Sequence, residues 1–319
     1  MKVLITGATG LVGNAIVDEL HANGVQVSYL TTRKEKIENS EDFQGFHWNP
    51  SSREIDSRCF EDVSAIINLA GATISKRWTP AYKKEVLLSR IQSLQTLKSG
   101  LMAYGAKDII SFVSASAIGI YPNSLSTFYT EDHKGVDTSF LGEVVEAWEK
   151  EIDGFNSFGF KVAKVRIGLV LSTRGGALPK MAGPIKYYAG AAFGSGEQWQ
   201  SWVHVEDLAR MFVFIVSNKL SGTFNGVAPN PVTNTKLTKE LAKVMKRPII
   251  LPNVPKFAME LLLGEMSYLL FASQRVSSKR IEKKGFVFSH LNICKALENL
   301  YLKDADTSSA LSSYKKEYV

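Results

Sequence analysis

Hydrophobic and polar positions along the chain follow two alternating rhythms. Short apolar, often β-branched runs at residues 3–5, 25–30, 46–49, 65–71, 109–113 and 161–170 have the length and composition of buried strands. Between them lie segments of helical period. One covers residues 14–20 and stops at Asn23-Gly24, one opens at Pro80 and runs to about Tyr104, and one includes residues 140–149. Asn-Gly and Pro at such places are helix stop and start signals. Later residues predict a strand at 223–227 and helices at 208–216 (capped by Asp207), 239–246 (starting from Thr238), 257–271 and 291–300.

Strands alternating with helix-length segments predict a parallel sheet covered on both faces. The expected fold class is therefore α/β, a Rossmann-type doubly wound parallel sheet with a smaller C-terminal substrate lobe. Residues 1–170, with 204–228 returning to them, form the expected nucleotide-binding domain. Residues 171–203 and 229–303 form the lobe, and 304–319 a polar tail. The apolar stretch 257–271 contains Glu260 and Glu265 and is short for a bilayer, so it is read as a buried amphipathic helix.

The first strand runs straight into Gly7, Gly10 and Gly13 and then a helix. That order places a phosphate against free N–H groups at a helix N-terminus, with glycine where a Cβ would collide. Gly7, Thr9, Gly10, Leu11, Val12 and Gly13 are the expected diphosphate cradle. The second strand ends in Thr31-Thr32-Arg33-Lys34 with no acid. A guanidinium there suits a 2′-phosphate, so NADP is expected over NAD. Leu69, Ala70 and Gly71 end another strand in mostly small residues, and Ser114 and Ser116 end the next. Arg77 and Arg90 are read first as helix-surface charges or structural ion pairs, with contact to an anionic group as the alternative.

Charge and composition narrow the partners. The net charge is +7, without an arginine-rich block or aromatic-basic interleaving, so no nucleic-acid partner is expected. The two cysteines, Cys59 and Cys294, lack metal-ligand spacing and suit a reduced, cytoplasmic setting. No metal and no membrane are expected; the partner is a small-molecule substrate, and the chain a monomer or homodimer.

GATGLVG, the INLAG strand and the SASA strand occur in the order seen in extended short-chain dehydrogenase/reductases, which the chain resembles. It is more narrowly similar to their epimerase-like subfamily through RIGLVLS (166–172), GGALPKM (175–181), WVHVEDLA (202–209), NGVAPNPVTN (225–234), KRP (246–248) and SQRV (273–276). The resemblance implies that Arg166 and Gly168 pass the nicotinamide end of the cofactor, and that Thr32, Trp48 and Leu69 join the cofactor-binding set. The family's proton-moving pair is Tyr-x-x-x-Lys. Here Val144 and Trp148 stand at those positions, and neither can act as acid or base. Ser116 is the serine counterpart, expected to bond a substrate carbonyl or hydroxyl. Tyr121, grouped with Ser116 as catalytic, and Glu143 and His204 are candidate replacements for the proton carrier, each set against a favoured structural role: Tyr121 closing the turn against Pro122, Glu143 on the wet helix face and His204 as a core histidine. The implied activity is hydride transfer by an oxidoreductase or epimerase-like enzyme. The alternative is a silent NADPH-binding sensor or scaffold.

Overall fold

β1 (Lys2–Thr6) is buried from Val3 onward and sits in the middle of the sheet, which is why its residues are apolar on both faces. The computed structural model describes residues 1–302; the polar tail expected at 304–319 lies outside them. After β1 come α1 (Leu11–Ala22), β2 (Gln26–Thr31), β3 (Phe43–Asn49), β4 (Glu54–Ile55), β5 (Ala65–Asn68), α2 (Pro80–Tyr104) and β6 (Ser111–Ala117). β7 (Phe128–Tyr129), α3 (Phe140–Asp153), β8 (Lys161–Ile167), β9 (Leu169–Leu171), α4 (Leu178–Lys186), β10 (Trp199–Gln200) and β11 (Trp202–His204) follow. Then come α5 (Val205–Ser217), β12 (Gly222–Gly226), β13 (Val232–Thr233), α6 (Asn234–Val244), α7 (Lys256–Leu263), α8 (Tyr268–Phe271), β14 (Arg275–Val276) and α9 (Lys279–Glu282), with a last helix entered at 293.

The main sheet has the order β12-β8-β6-β5-β1-β2-β3-β4. It is parallel except where β4 turns back on β3. The chain leaves β1 toward β2 on one side and later returns to β5 on the other. That reversal opens a crevice at the carboxyl ends of β1 and β5, the place where ligands sit in such sheets. α1 packs with α5, and α2 with α3. A second apolar cluster, with Leu178, Trp202, Leu237 and Leu297, lies beyond the sheet.

Several boundaries differ from the sequence reading. The strand expected at 161–170 is broken at Gly168. β8 stays in the main sheet, whereas β9 pairs with β11. A Cβ on Gly168 would lie 2.2 Å from the Ser201 carbonyl oxygen, so glycine there permits the crossing of two backbones. The strand expected at 109–113 runs instead over Ser111–Ala117, which puts Ser114 and Ser116 inside it. α6 begins earlier than Thr238, capped by Thr233 through the Lys236 N–H. α5 begins at Val205 and is capped by His204, not by Asp207.

The apolar stretch at 257–271 is neither one helix nor buried. Gly264, at φ +60, ends α7, and α7 buries none of its residues, leaving Leu261 85% exposed. Among the described residues no helix is long and apolar enough to cross a membrane.

Candidate functional site

The crevice is walled by the turn from β1 into α1. Gly7 has φ +74, and its carbonyl accepts from Gly10 N–H at 3.0 Å. A Cβ on Gly13 would fall 2.1 Å from that carbonyl oxygen, and one on Gly7 3.2 Å from the Leu69 backbone. The turn is thus tight against both α1 and the end of β5. Gly10 caps α1 without a side-chain bond, so the first N–H groups of the helix, over Leu11, Val12 and Gly13, are directed at the crevice mouth. Thr9 and Gly10 are exposed there, with Leu11 and Val12 partly so. Thr9 and Leu11 also line a cavity of about 510 Å³ shared with Asn14, Ser172 and Arg174.

Thr32 and Arg33 stand exposed just past β2, where Arg33 N–H donates to Thr31 Oγ1. Trp48, expected in the cofactor-binding set, is packed into the main core at 3% exposure. Leu69, half-buried Ala70 and exposed Gly71 continue the β5 edge.

Beneath the crevice, a buried chain of hydrogen bonds ties three strands together. Thr6 Oγ1 donates to Asn68 Oδ1 at 2.7 Å, and accepts from the Leu69 and Ala70 N–H groups. Asn68 Nδ2 donates to Ser114 Oγ at 2.9 Å, and that hydroxyl donates to the Ala115 carbonyl. The hydroxyl of Ser114, a residue expected in the cofactor-binding set, is therefore already engaged within the scaffold.

Ser116 heads a second network. Its hydroxyl donates to Glu149 Oε1 at 2.6 Å. Arg166 grips the same carboxylate in a fork, Nε to Oε1 at 2.8 Å and Nη2 to Oε2 at 2.9 Å, with Lys164 at 3.5 Å. Arg166 Nη1 donates to the Tyr121 hydroxyl at 2.9 Å, which itself donates to Asn225 Oδ1 at 2.7 Å. Asn225 N–H reaches Glu131 Oε1, and its side chain the Ser277 carbonyl. Burial pushes Glu149 up, but the Arg166 bonds and charge, Ser116 and Lys164 outweigh it and hold the carboxyl below its usual range. Arg166 is raised above its ordinary value because Glu149 and Tyr121 outweigh its burial.

These contacts revise two expectations. Tyr121 is 0% exposed and its hydroxyl already has a donor and an acceptor partner. Burial is the chief cause of its raised pKa, and the hydroxyl is held within the network. The Arg166 guanidinium is engaged by Glu149 and Tyr121, and Gly168 serves the approach to Ser201.

Glu143 lies exposed in the first turn of α3. His204 is buried, accepts from Glu206 N–H through Nδ1, and stacks on His290 with centroids 3.7 Å apart. His204, Glu206 and His290 bring candidate ligand atoms within 4.8 Å. The two imidazoles are only 11° from parallel, so their in-plane lone pairs do not converge on one ion. Val144 and Trp148 are both buried on α3. Glu149 and Asn225 were not singled out as site residues by the sequence reading. Glu149 carried a signal, since it falls on the same α3 face as Val145, Trp148 and Ile152, where the helical period demands apolar residues.

Comparison with known proteins agrees with this architecture. The model of the NAD dependent epimerase/dehydratase family matches residues 3–226, and that of a domain of unknown function, DUF1731, matches 254–300. An epimerase family protein of Staphylococcus aureus (strain MRSA252) is 39% identical over 303 residues, 95% of this chain and 99% of its own length. The human epimerase family protein SDR39U1 (isoform 2), solved with NADPH, superposes with a TM-score of 0.82 at 27% identity, covering 94% of this chain and 99% of that one. A nucleoside-diphosphate sugar epimerase from Corynebacterium glutamicum has a TM-score of 0.74 at 27% identity, over 94% of this chain and 58% of that one.

Proposed function

The chain belongs to the NAD dependent epimerase/dehydratase family, and from that premise we propose that it binds NADP(H) in the crevice between β1 and β5 and acts on a small carbonyl or hydroxyl substrate by hydride transfer. The observation that carries this reading is the turn from β1 to α1. Its glycines permit the tight turn, since a Cβ on Gly13 would meet the Gly7 carbonyl and one on Gly7 the Leu69 backbone, and the α1 N-terminus is left without a side-chain cap. Such a terminus attracts a diphosphate. Arg33, exposed past β2, is the group for a 2′-phosphate. NADPH in the human relative supports the same preference. When bound, the nicotinamide supplies the hydride chemistry.

The protein's part is binding and orientation. The Ser116 hydroxyl donates its one hydrogen bond to Glu149. Toward a ligand Ser116 can then only accept, so it favours a substrate hydroxyl over a carbonyl. The test is direct. Calorimetry with NADPH and NADH measures binding, and absorbance of the reduced cofactor follows turnover against a panel of carbonyl compounds, with NADP and a panel of alcohols for the reverse direction. Tight NADPH binding with turnover of one class supports the reading, and absence of binding to either nucleotide overturns it.

A second reading, a silent sensor or scaffold, draws on the buried Val144 and Trp148 at the proton-moving positions. Tight NADPH binding with no turnover in either direction would favour it.

A further inference from the structure

We propose that Arg90 is a binding residue for an oxyanion, a phosphate or carboxylate oxygen of the ligand that fills the crevice; the proposal rests on the reading of that crevice as a cofactor site. Arg90 lies on α2 and reaches back to the end of β5. Its Nη1 donates to the carbonyls of Ala72 at 3.2 Å and Val86 at 2.8 Å. The neighbouring Ser89 hydroxyl accepts from Ala72 N–H at 2.9 Å. Two consecutive α2 residues thus hold the strand's exit segment. A Cβ on Gly71 would stand 3.1 Å from the Arg90 guanidinium carbon, so glycine there leaves room for the cation at the crevice edge.

The other side of the guanidinium lies over Trp148, 5.0 Å from the ring centroid. That contact fixes the plane of the fork without neutralising it. No carboxylate among the described residues perturbs Arg90; burial is the main influence and pushes it down to about 10, still charged at neutral pH. Nε and Nη2 make no hydrogen bond to the described protein, and neither is sealed from solvent. The half-buried cation has no counterion among the described residues, and its two open N–H groups can take an incoming oxyanion in a two-pronged contact.

The position points to the same ligand. Gly7, in the phosphate turn, packs against Leu69, and Arg90 packs against Gly71. Two residues of extended chain span roughly 7 Å, so the turn and Arg90 flank one short stretch of β5 exit. The oxyanion comes either from the cofactor's diphosphate or from an acidic substrate bound beside it.

The experiment uses the full chain with Arg90→Met and Arg90→Lys, the latter keeping a cation over Trp148 should the former not fold. Affinities for NADPH, for inorganic pyrophosphate, and for glucuronate added to the NADPH-saturated protein are read by calorimetry, with circular dichroism as the folding control. A loss of roughly tenfold or more for NADPH and pyrophosphate in Arg90→Met, smaller in Arg90→Lys, assigns the oxyanion to the cofactor. Unchanged NADPH affinity with glucuronate binding abolished assigns it to the substrate. Folded variants that bind all three probes like the wild type overturn the proposal while leaving the cofactor site intact. A wild-type protein that binds no nucleotide overturns the cofactor reading instead, and glucuronate and pyrophosphate alone then decide Arg90.

Discussion

The Ser116 hydroxyl meets Glu149 Oε1 at 2.6 Å, and both residues are buried. This contact fixes the direction of the serine proton and links the end of β6 to the centre of α3. Because Arg166 holds both oxygens of the same carboxylate, the serine is oriented by an ion pair that is itself shielded from water.

Glu149→Gln should therefore destabilise the fold by roughly 3–5 kcal/mol, because Arg166 is left as an uncompensated buried charge. Urea unfolding at neutral pH measures it. A change below about 1 kcal/mol would mean that the pair contributes little.

The same pair sets a pH dependence. Glu149 is held below its usual range in the folded chain. As pH falls, the unfolded chain takes up this proton first. The stabilisation is complete above roughly pH 5 and is lost as acid drives the folded carboxyl to protonate. Glu149→Gln should flatten the acid limb of the unfolding curve. An unaltered limb would assign the acid sensitivity to other groups, such as Asp207, whose carboxyl is also lowered despite its burial because His290 and the Ser289 and His290 N–H groups bond to it.

Tyr121→Phe separates a structural role from a catalytic one. Removing the hydroxyl leaves Arg166 Nη1 and Asn225 Oδ1 without that partner, at a cost of about 1–3 kcal/mol. NADPH affinity should stay within twofold. Abolished turnover at unchanged stability would restore Tyr121 as the proton carrier.

Gly13→Ala puts a Cβ 2.1 Å from the Gly7 carbonyl oxygen. Calorimetry should show NADPH binding lost, with stability reduced by a few kcal/mol, as for other overpacked sites. Near-wild-type binding would show that the turn has slack.

Arg33→Asp should weaken NADPH at least tenfold more than NADH, since only the former brings a 2′-phosphate to the exposed end of β2. Equal losses for the two nucleotides would remove Arg33 from that role.

The legible parts were those written locally. The run at residues 3–5, the glycine spacing and the helical period after it sit within a few residues of one another, so the strand, turn and helix could be read directly. The helix from Pro80 to Tyr104 was equally clear, because proline opens it and a helical pattern runs on to about Tyr104. The stretch at 257–271 was misread because an apolar helix suggests burial, whereas burial depends on whether another element arrives to cover it.

The sequence by itself determined the alternating strands and helices, the parallel sheet, and the phosphate-type turn at its centre. Tertiary structure alone decided what Ser116, Tyr121 and Arg166 do. Their partners lie 33 residues away for Ser116 and Glu149, 45 for Tyr121 and Arg166, and 104 for Tyr121 and Asn225. Periodicity reports how a residue relates to its own helix or strand. Which charge faces which hydroxyl depends on how separate elements pack, and in a water-excluding interior that packing determines whether a polar group is free to react or already bound.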